Sequence, residues 1–200
     1  MEYVQISIKP IKSFCNKLLT KGYCTELPFH NLEHTKEVVA NVMHIGKAMK
    51  VSKKDLFILE TAAWFHDTGF SNCYKGHEDS SQKIATAFLS KEGMSKRDIK
   101  TICSCIEATK MPQNPQSDLA KILCDADLFH IATSQFFYRK LLLRREWEIF
   151  CDINSSDLEW HKLNLAFLKN HSFHTTYGCE VLEQKKRENL KKVINILKYY

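Results

Sequence analysis

Glycine and proline are scarce in this sequence, at 6 and 4 of 200 residues. An all-β fold needs many tight turns, so the shortage weighs against one. The chain has 8 cysteines but no C-x-x-C pair. Cys103 and Cys105 are two apart and would point to different faces of a helix. Cys15, Cys24, Cys73, Cys103, Cys105, Cys124, Cys151 and Cys179 therefore read as reduced, mostly buried thiols of a cytoplasmic protein, not as zinc ligands or disulfides. No run approaches the roughly 18 apolar residues that a membrane span needs. The N-terminal stretch MEYVQISIKPIKSF is interrupted by Lys9 and Pro10, so it is not expected to be a signal peptide. A recognised nucleic-acid reader motif is also lacking, and nucleic acid is not the expected partner.

What the chain does have is an ordinary globular composition, 44% hydrophobic and 26% charged, at a length that suits one domain. The net charge is +6. Much of it lies in KKRENLKK (Lys185 to Lys192), which reads first as a solvated helix face. A mildly basic balance also suits an anionic substrate such as a nucleotide.

Helical spacing recurs almost throughout. Ile11 to Leu19 is one segment, with Pro10 tolerable in a first turn. Val38, Val42, Ile45 and Met49 mark a helix over His34 to Met49. Asp55 is the expected N-cap of Leu56 to His66, which is apolar nearly all round and so predicts a buried helix. TGFSNCYKG predicts a loop, followed by helices over about Glu78 to Leu89 and Ile99 to Thr109, the latter opened by Ser95 with Asp98. KMPQNPQSD is turn-rich and ends in an N-cap at Ser117 or Asp118. Leu119 to Ile131, Ser134 to Phe150, Ser156 to Lys169 and Glu180 to Leu197 complete the set. Short connections between many helices predict a single all-α domain, a helical bundle over residues 1–200.

The chemistry is concentrated in three short motifs. PFHNLEHT carries His30 and His34, four apart and so near one helix face. WFHDTGF carries His66 and Asp67. LCDADLF carries Asp125 and Asp127. Taken in order, His34, His66, Asp67 and Asp127 form two imidazoles and two carboxylates, a full set for one divalent metal. The donors suit Mn, Fe, Co, Ni or Zn, and Mg less well. Structural zinc prefers closed, thiolate-rich sites, so four N/O ligands point to an open, catalytic one. Adjacent residues on a continuous helix splay by ~100°. His66 and Asp67 can share an ion only if the helix ends there, and Gly69 in a left-handed turn would end it. Asp127, placed mid-helix beside Leu123, Leu128 and Ile131, needs a partner if buried, and a metal is one.

These motifs resemble the HD-domain phosphohydrolase superfamily, which includes the cyclic-nucleotide phosphodiesterases. FHNLEHT, AAWFHDTGF, GHEDSSQKIA, IEATKMP and LCDADLFH stand in that family's order. LRREWE, FLKNHSFHTTYG and KKRENL further resemble a bacterial subgroup of predicted metal-dependent HD phosphohydrolases. The resemblance covers about residues 29–190. It implies a helical bundle of HD type and His34, His66, Asp67 and Asp127 as the metal ligands. In the family's D-A-D motif the second carboxylate is the usual ligand, so Asp125 is the alternate.

The resemblance also implies phosphomonoester or phosphodiester hydrolysis by a metal-activated water, on a small-molecule phosphoester such as a nucleotide. His30 would protonate the leaving oxygen. Glu78 would orient the water, Glu78 or Asp67 would take its proton, and Lys110 would hold a phosphate. His77, Arg144, Arg145, His171 and His174 would contact substrate, His77 being near a residue that helps hold a second metal in two-metal relatives. ICSCIEATK offers Glu107 and Lys110 where two-metal relatives carry further histidines, which favours one ion. The alternative function is a regulatory module that senses a nucleotide without turnover. Substrate, metal identity and oligomeric state stay open, a homo-oligomer included.

Overall fold

The computed structural model describes residues 7–200. Residues 1–6, the start of the stretch expected not to be a signal peptide, lie outside the described residues. The chain is all-α, as the spacing predicts, and no strand occurs among the described residues. No described helix is long and apolar enough to cross a membrane. Two compact units are present, one ending at Asp127 and one spanning Leu128–Tyr200.

The first unit holds α1 (Ile8–Leu19), α2 (Leu32–Ala48), α3 (Lys53–Phe65), α4 (His77–Lys91), α5 (Lys96–Ala108) and α6 (Asp118–Asp127). α3 is its central element. Ile58, Leu59, Ala62, Ala63, Trp64 and Phe65 are all buried, as a helix apolar on every side requires. α3 packs on α1, α2, α5 and α6. Gly46 of α2 allows a close approach to α3, since a Cβ there would meet the Leu56 side chain at 2.7 Å.

Caps decide where the helices begin. Ser52, not Asp55, caps α3: its hydroxyl accepts from the Asp55 N–H at 3.1 Å and donates to the Asp55 carboxylate at 2.7 Å. The helix therefore starts earlier than the apolar run suggests. Ser95 caps α5 in the same way through Asp98. Before α6, Ser117 accepts from the Ala120 N–H at 3.2 Å. The segment expected as one helix over Leu119 to Ile131 is α-helical only to Asp127 and tightens to a 3₁₀ turn at Leu128–Ala132. Asp127 thus ends a helix rather than sitting inside one.

The second unit contains α7 (Phe136–Phe150), α8 (Asp157–Asn170) and α9 (Glu183–Leu197), with one π-helical stretch at Gly178–Leu182 leading into α9. Ser156 and Glu159 form a reciprocal capping box at the start of α8. All eight cysteines are free thiols, as expected. Only Cys15, Cys24, Cys105 and Cys124 are fully buried, so burial is less general than the composition suggested.

Candidate metal centre

A cap sets the first histidines. The Asn31 side-chain oxygen accepts from the backbone N–H groups of Glu33 at 3.0 Å and His34 at 3.1 Å. Its amide donates to the Pro28 carbonyl at 2.9 Å. One side chain thus fixes both the start of α2 and the loop before it, and His34 enters the first turn only 2% exposed.

The second pair depends on how α3 ends. His66 is its last helical-geometry residue, and Asp67 departs to φ −106°, ψ 3°. That break lets two adjacent side chains face one point. Gly69 does not supply it by a left-handed turn, because its φ is not positive. Its role is steric instead. A Cβ at Gly69 would fall 1.8 Å from the His77 carbonyl oxygen. The Gly69 N–H donates to the Ser81 hydroxyl at 2.8 Å. The 3₁₀ turn Thr68–Ser71 is thereby pressed onto the start of α4, which carries His77 and Glu78.

The third element is the end of α6. The Asn41 amide on α2 donates to the Ala126 carbonyl at 3.2 Å, tying that end to the helix that bears His34.

These local features converge on one place. Asp127 Oδ1 lies 3.1 Å from His34 Nε2 and 3.8 Å from His66 Nε2. Asp67 Oδ2 lies 3.1 Å from His66 Nε2 and 3.5 Å from His34 Nε2. Ligand atoms of His34, His66 and Asp127 all fall within 4.8 Å of one another. Asp125 is fully buried in α6 and outside this group.

The donor set fits a divalent cation. His66 Nδ1 lies 2.8 Å from the Ala63 carbonyl. Donation there leaves the Nε2 lone pair facing the carboxylates, as a ligating imidazole held by its other ring nitrogen does. His66 Nε2 and Asp67 Oδ2 are buried and neither has a hydrogen-bond partner. At 3.1 Å the two atoms attract each other, and buried polar atoms need a partner. An ion between them would satisfy both.

The electrostatics agree. Burial opposes charge on His66, yet the Asp67 carboxylate, with Asp127 behind it, raises the imidazole to about 9. A proton and a divalent ion would therefore compete for the same lone pair. Burial alone would raise Asp67, but His66, His77 and His30 hold it well below the ordinary carboxylate range. It is an ionised carboxylate at neutral pH.

The other Asp67 oxygen, Oδ1, lies 3.5 Å from His77 Nε2. His77 Nδ1 lies 3.2 Å from the Tyr74 carbonyl and 3.5 Å from Glu78 Oε2. The His77 ring stacks on Phe70 at 3.7 Å between centroids, and His30 stacks on the same ring at 4.7 Å. Glu78 is buried. His30, His77 and Glu78 are thus gathered beside the four candidate ligands. Lys110 is half exposed, with its ammonium 3.7 Å from Asp79.

The remaining candidates lie in the second unit. The Arg144 guanidinium is engaged by Asp157 at 2.7 Å, by Glu148 at 3.6 Å and by the Ser155 carbonyl. Arg145 is exposed and pairs with Glu148 at 3.1 Å. The His171 and His174 rings lie 6.1 Å apart, edge to face. Burial, with Lys186 nearby, lowers His171 to about 4.

Three contributors went unnoticed in the sequence. Asn31 had a signal, an Asn just before a helical run. Phe70 and Asn41 had none, because their roles depend on partners distant in the chain.

The helices and the buried group of N/O donors define an all-α protein with a candidate divalent-metal centre. Residues 31–132, just over half of the chain, match the HD domain family model, and the chain belongs to that family. No curated protein matches it. Among the similar solved structures are the following two. One is a predicted HD superfamily hydrolase from an uncultured Thermotogales bacterium, 17% identical, covering 96% of this chain and 92% of that one, with a TM-score of 0.66. The other is Bacillus subtilis YpgQ in complex with ADP, 20% identical, covering 96% and 94%, with a TM-score of 0.69. At these identities the likeness establishes the fold.

Proposed function

We propose that this protein is a metal-dependent phosphohydrolase acting on a phosphoester bond of a small nucleotide. The reading rests on the convergence of His34, His66, Asp67 and Asp127, with the buried His66 Nε2 and Asp67 Oδ2 left for an ion to satisfy. A divalent ion held there supplies Lewis acidity, which lowers the pKa of water and offsets phosphoryl charge. Four N/O donors without thiolate suit such a catalytic ion better than a structural one.

The chain's own residues take the proton-transfer and binding steps. Asp67 stays ionised and holds the imidazoles around it in place. Glu78, buried beside His77, is the proton acceptor for the attacking water. His30, fixed against Phe70, donates to the departing oxygen. His77 orients the second Asp67 oxygen and borders the substrate. Lys110 can exchange its distant contact with exposed Asp79 for a phosphate. Arg144 is held in place by carboxylates, so its part is to shape its surroundings more than to clamp a phosphate. Substrate contact by Arg145, His171 and His174, all in the second unit, rests on the family resemblance alone. The ADP complex of the similar Bacillus subtilis protein supports a nucleotide as the ligand class.

The test is a panel of nucleoside phosphates and cyclic nucleotides offered to protein reconstituted with Mn, Fe, Co, Ni, Zn or Mg. Turnover that needs both metal and intact His66 is the expected result. Tight nucleotide binding without turnover under every metal would replace this reading with a sensing role.

A further inference from the structure

The second unit contains a buried cation that the proposed metal chemistry does not use. Lys140 on α7 is only 7% exposed. Among the described residues it has no carboxylate partner. Its ammonium instead lies over the Phe167 ring, 4.4 Å from the centroid. A buried ammonium without a counter-charge is costly to keep, and a ring face offsets only part of that cost. Burial accordingly lowers Lys140 to about 8.

Lys140 lines a cavity of about 220 Å³ built from α7, α8 and α9, whose other walls include Phe136, Trp160 and Asn164. Phe136, Phe137 and Trp160 make its aromatic side, Asn164 places a buried amide beside them, and Asp157, paired with Arg144, also lines it. Arg144 also lines this cavity, but its charge is answered by Asp157 and Glu148. Nearby Lys186 is buried as well and is answered by Glu183 at 2.9 Å. Lys140 is thus left as the uncompensated positive charge of the group. The Phe167 ring that carries it stacks in parallel with His171, whose buried Nε2 has no hydrogen-bond partner.

We propose that this cavity is an anion site anchored by Lys140, taking the phosphoryl group of a small molecule whose apolar part rests on Phe136 and Trp160. Lysine serves as a point charge for phosphate, and a desolvated pocket strengthens the attraction. Small-molecule sites pair apolar walls with a few placed polar groups, as this cavity does. The site is made entirely of second-unit residues and does not depend on the metal reading.

The experiment is calorimetric titration of the full chain with inorganic phosphate and, separately, with AMP, in excess chelator. Saturable binding is expected in the wild type and in Asp127→Asn. Lys140→Met should weaken it by about tenfold or more, the scale for removing one side of a buried charge contact. Lys140→Met removes a buried charge at similar volume, so its melting temperature should not fall. A folded variant that has lost binding is then informative. AMP and phosphate should compete for the same site; phosphate binding that AMP does not displace would overturn the assignment to a phosphorylated small molecule. Absence of saturable binding in the wild type, equal binding in Lys140→Met, or loss of binding in Asp127→Asn would overturn the proposal.

Discussion

Asp127 Oδ1 stands 3.1 Å from His34 Nε2 although 93 residues of chain separate them. Each residue sits at a helix terminus, His34 in the first turn of α2 and Asp127 at the last residue of α6. The Asn41 bond to Ala126 holds those two helices together beside the contact.

Removing either partner should therefore empty the centre. His34→Ala and Asp127→Asn are expected to lose bound metal and to lower the proposed phosphohydrolase turnover by about 100-fold or more. Elemental analysis of purified protein checks the first and steady-state kinetics the second, with circular dichroism confirming the helices. Normal metal content in both variants would remove the assignment.

His30 should separate chemistry from metal binding. It stacks on Phe70 and is not among the converging ligand atoms. His30→Ala is expected to keep its metal while turnover drops by about 100-fold or more, the usual scale of a lost general acid. Loss of the metal would make His30 a ligand instead.

The raised His66 predicts a pH-dependent stability. Its folded value of about 9 lies above the ordinary 6.5. The folded state then binds more protons than the unfolded one between those values. The contribution is complete below pH 6.5 and is lost as pH rises toward 9. Chelated protein should melt at a falling temperature across this window. The trend is cleanest below pH 8, because above it the lowered Lys140 acts in the opposite direction. Added metal should flatten the trend, since binding displaces the proton. Thermal melts of wild type and His66→Gln, with and without chelator, measure this; an unchanged slope in His66→Gln would refute the cause.

Gly69→Ala should be costly far beyond a usual surface change. The added Cβ would meet the backbone oxygen of His77 at 1.8 Å, where no side chain can move aside. A loss of about 3 kcal/mol in urea unfolding is expected, together with weaker metal retention as α4 is pushed from Asp67.

Asn31→Ala removes the cap of α2 and should cost about 1 kcal/mol. His34 lies in that first turn, so metal affinity should fall as well. Asn31→Asp keeps an oxygen acceptor for the N–H groups and should recover most of the stability. Equal metal affinity in Asn31→Ala would show that His34 is held by other contacts.

Much of the helical frame was legible because α2 and α5 carry apolar periodicity and α3 is an apolar run long enough for a buried helix. The ligands were legible because His34, His66, Asp67 and Asp127 lie in short motifs with a characteristic order. Errors fell at helix ends. Ser52 caps α3 through Asp55, and a reading keyed to the first apolar residue passes over the polar first turn. The Leu119 to Ile131 run looked continuous because a 3₁₀ turn keeps apolar residues at similar steps. Gly69 was assigned a backbone role, since glycine signals a turn locally, while its actual constraint is a neighbour eight residues away.

The sequence by itself determined that the chain is helical and which side chains bring metal-binding chemistry, because periodicity and donor type are local properties. Tertiary structure alone decided that Asp127 faces the imidazoles while Asp125 is buried elsewhere, and that Asp67 presents one oxygen to His66 and the other to His77. Those outcomes depend on where helices stop and how closely they pack. Both are set by contacts between residues far apart in the chain, which no local pattern records.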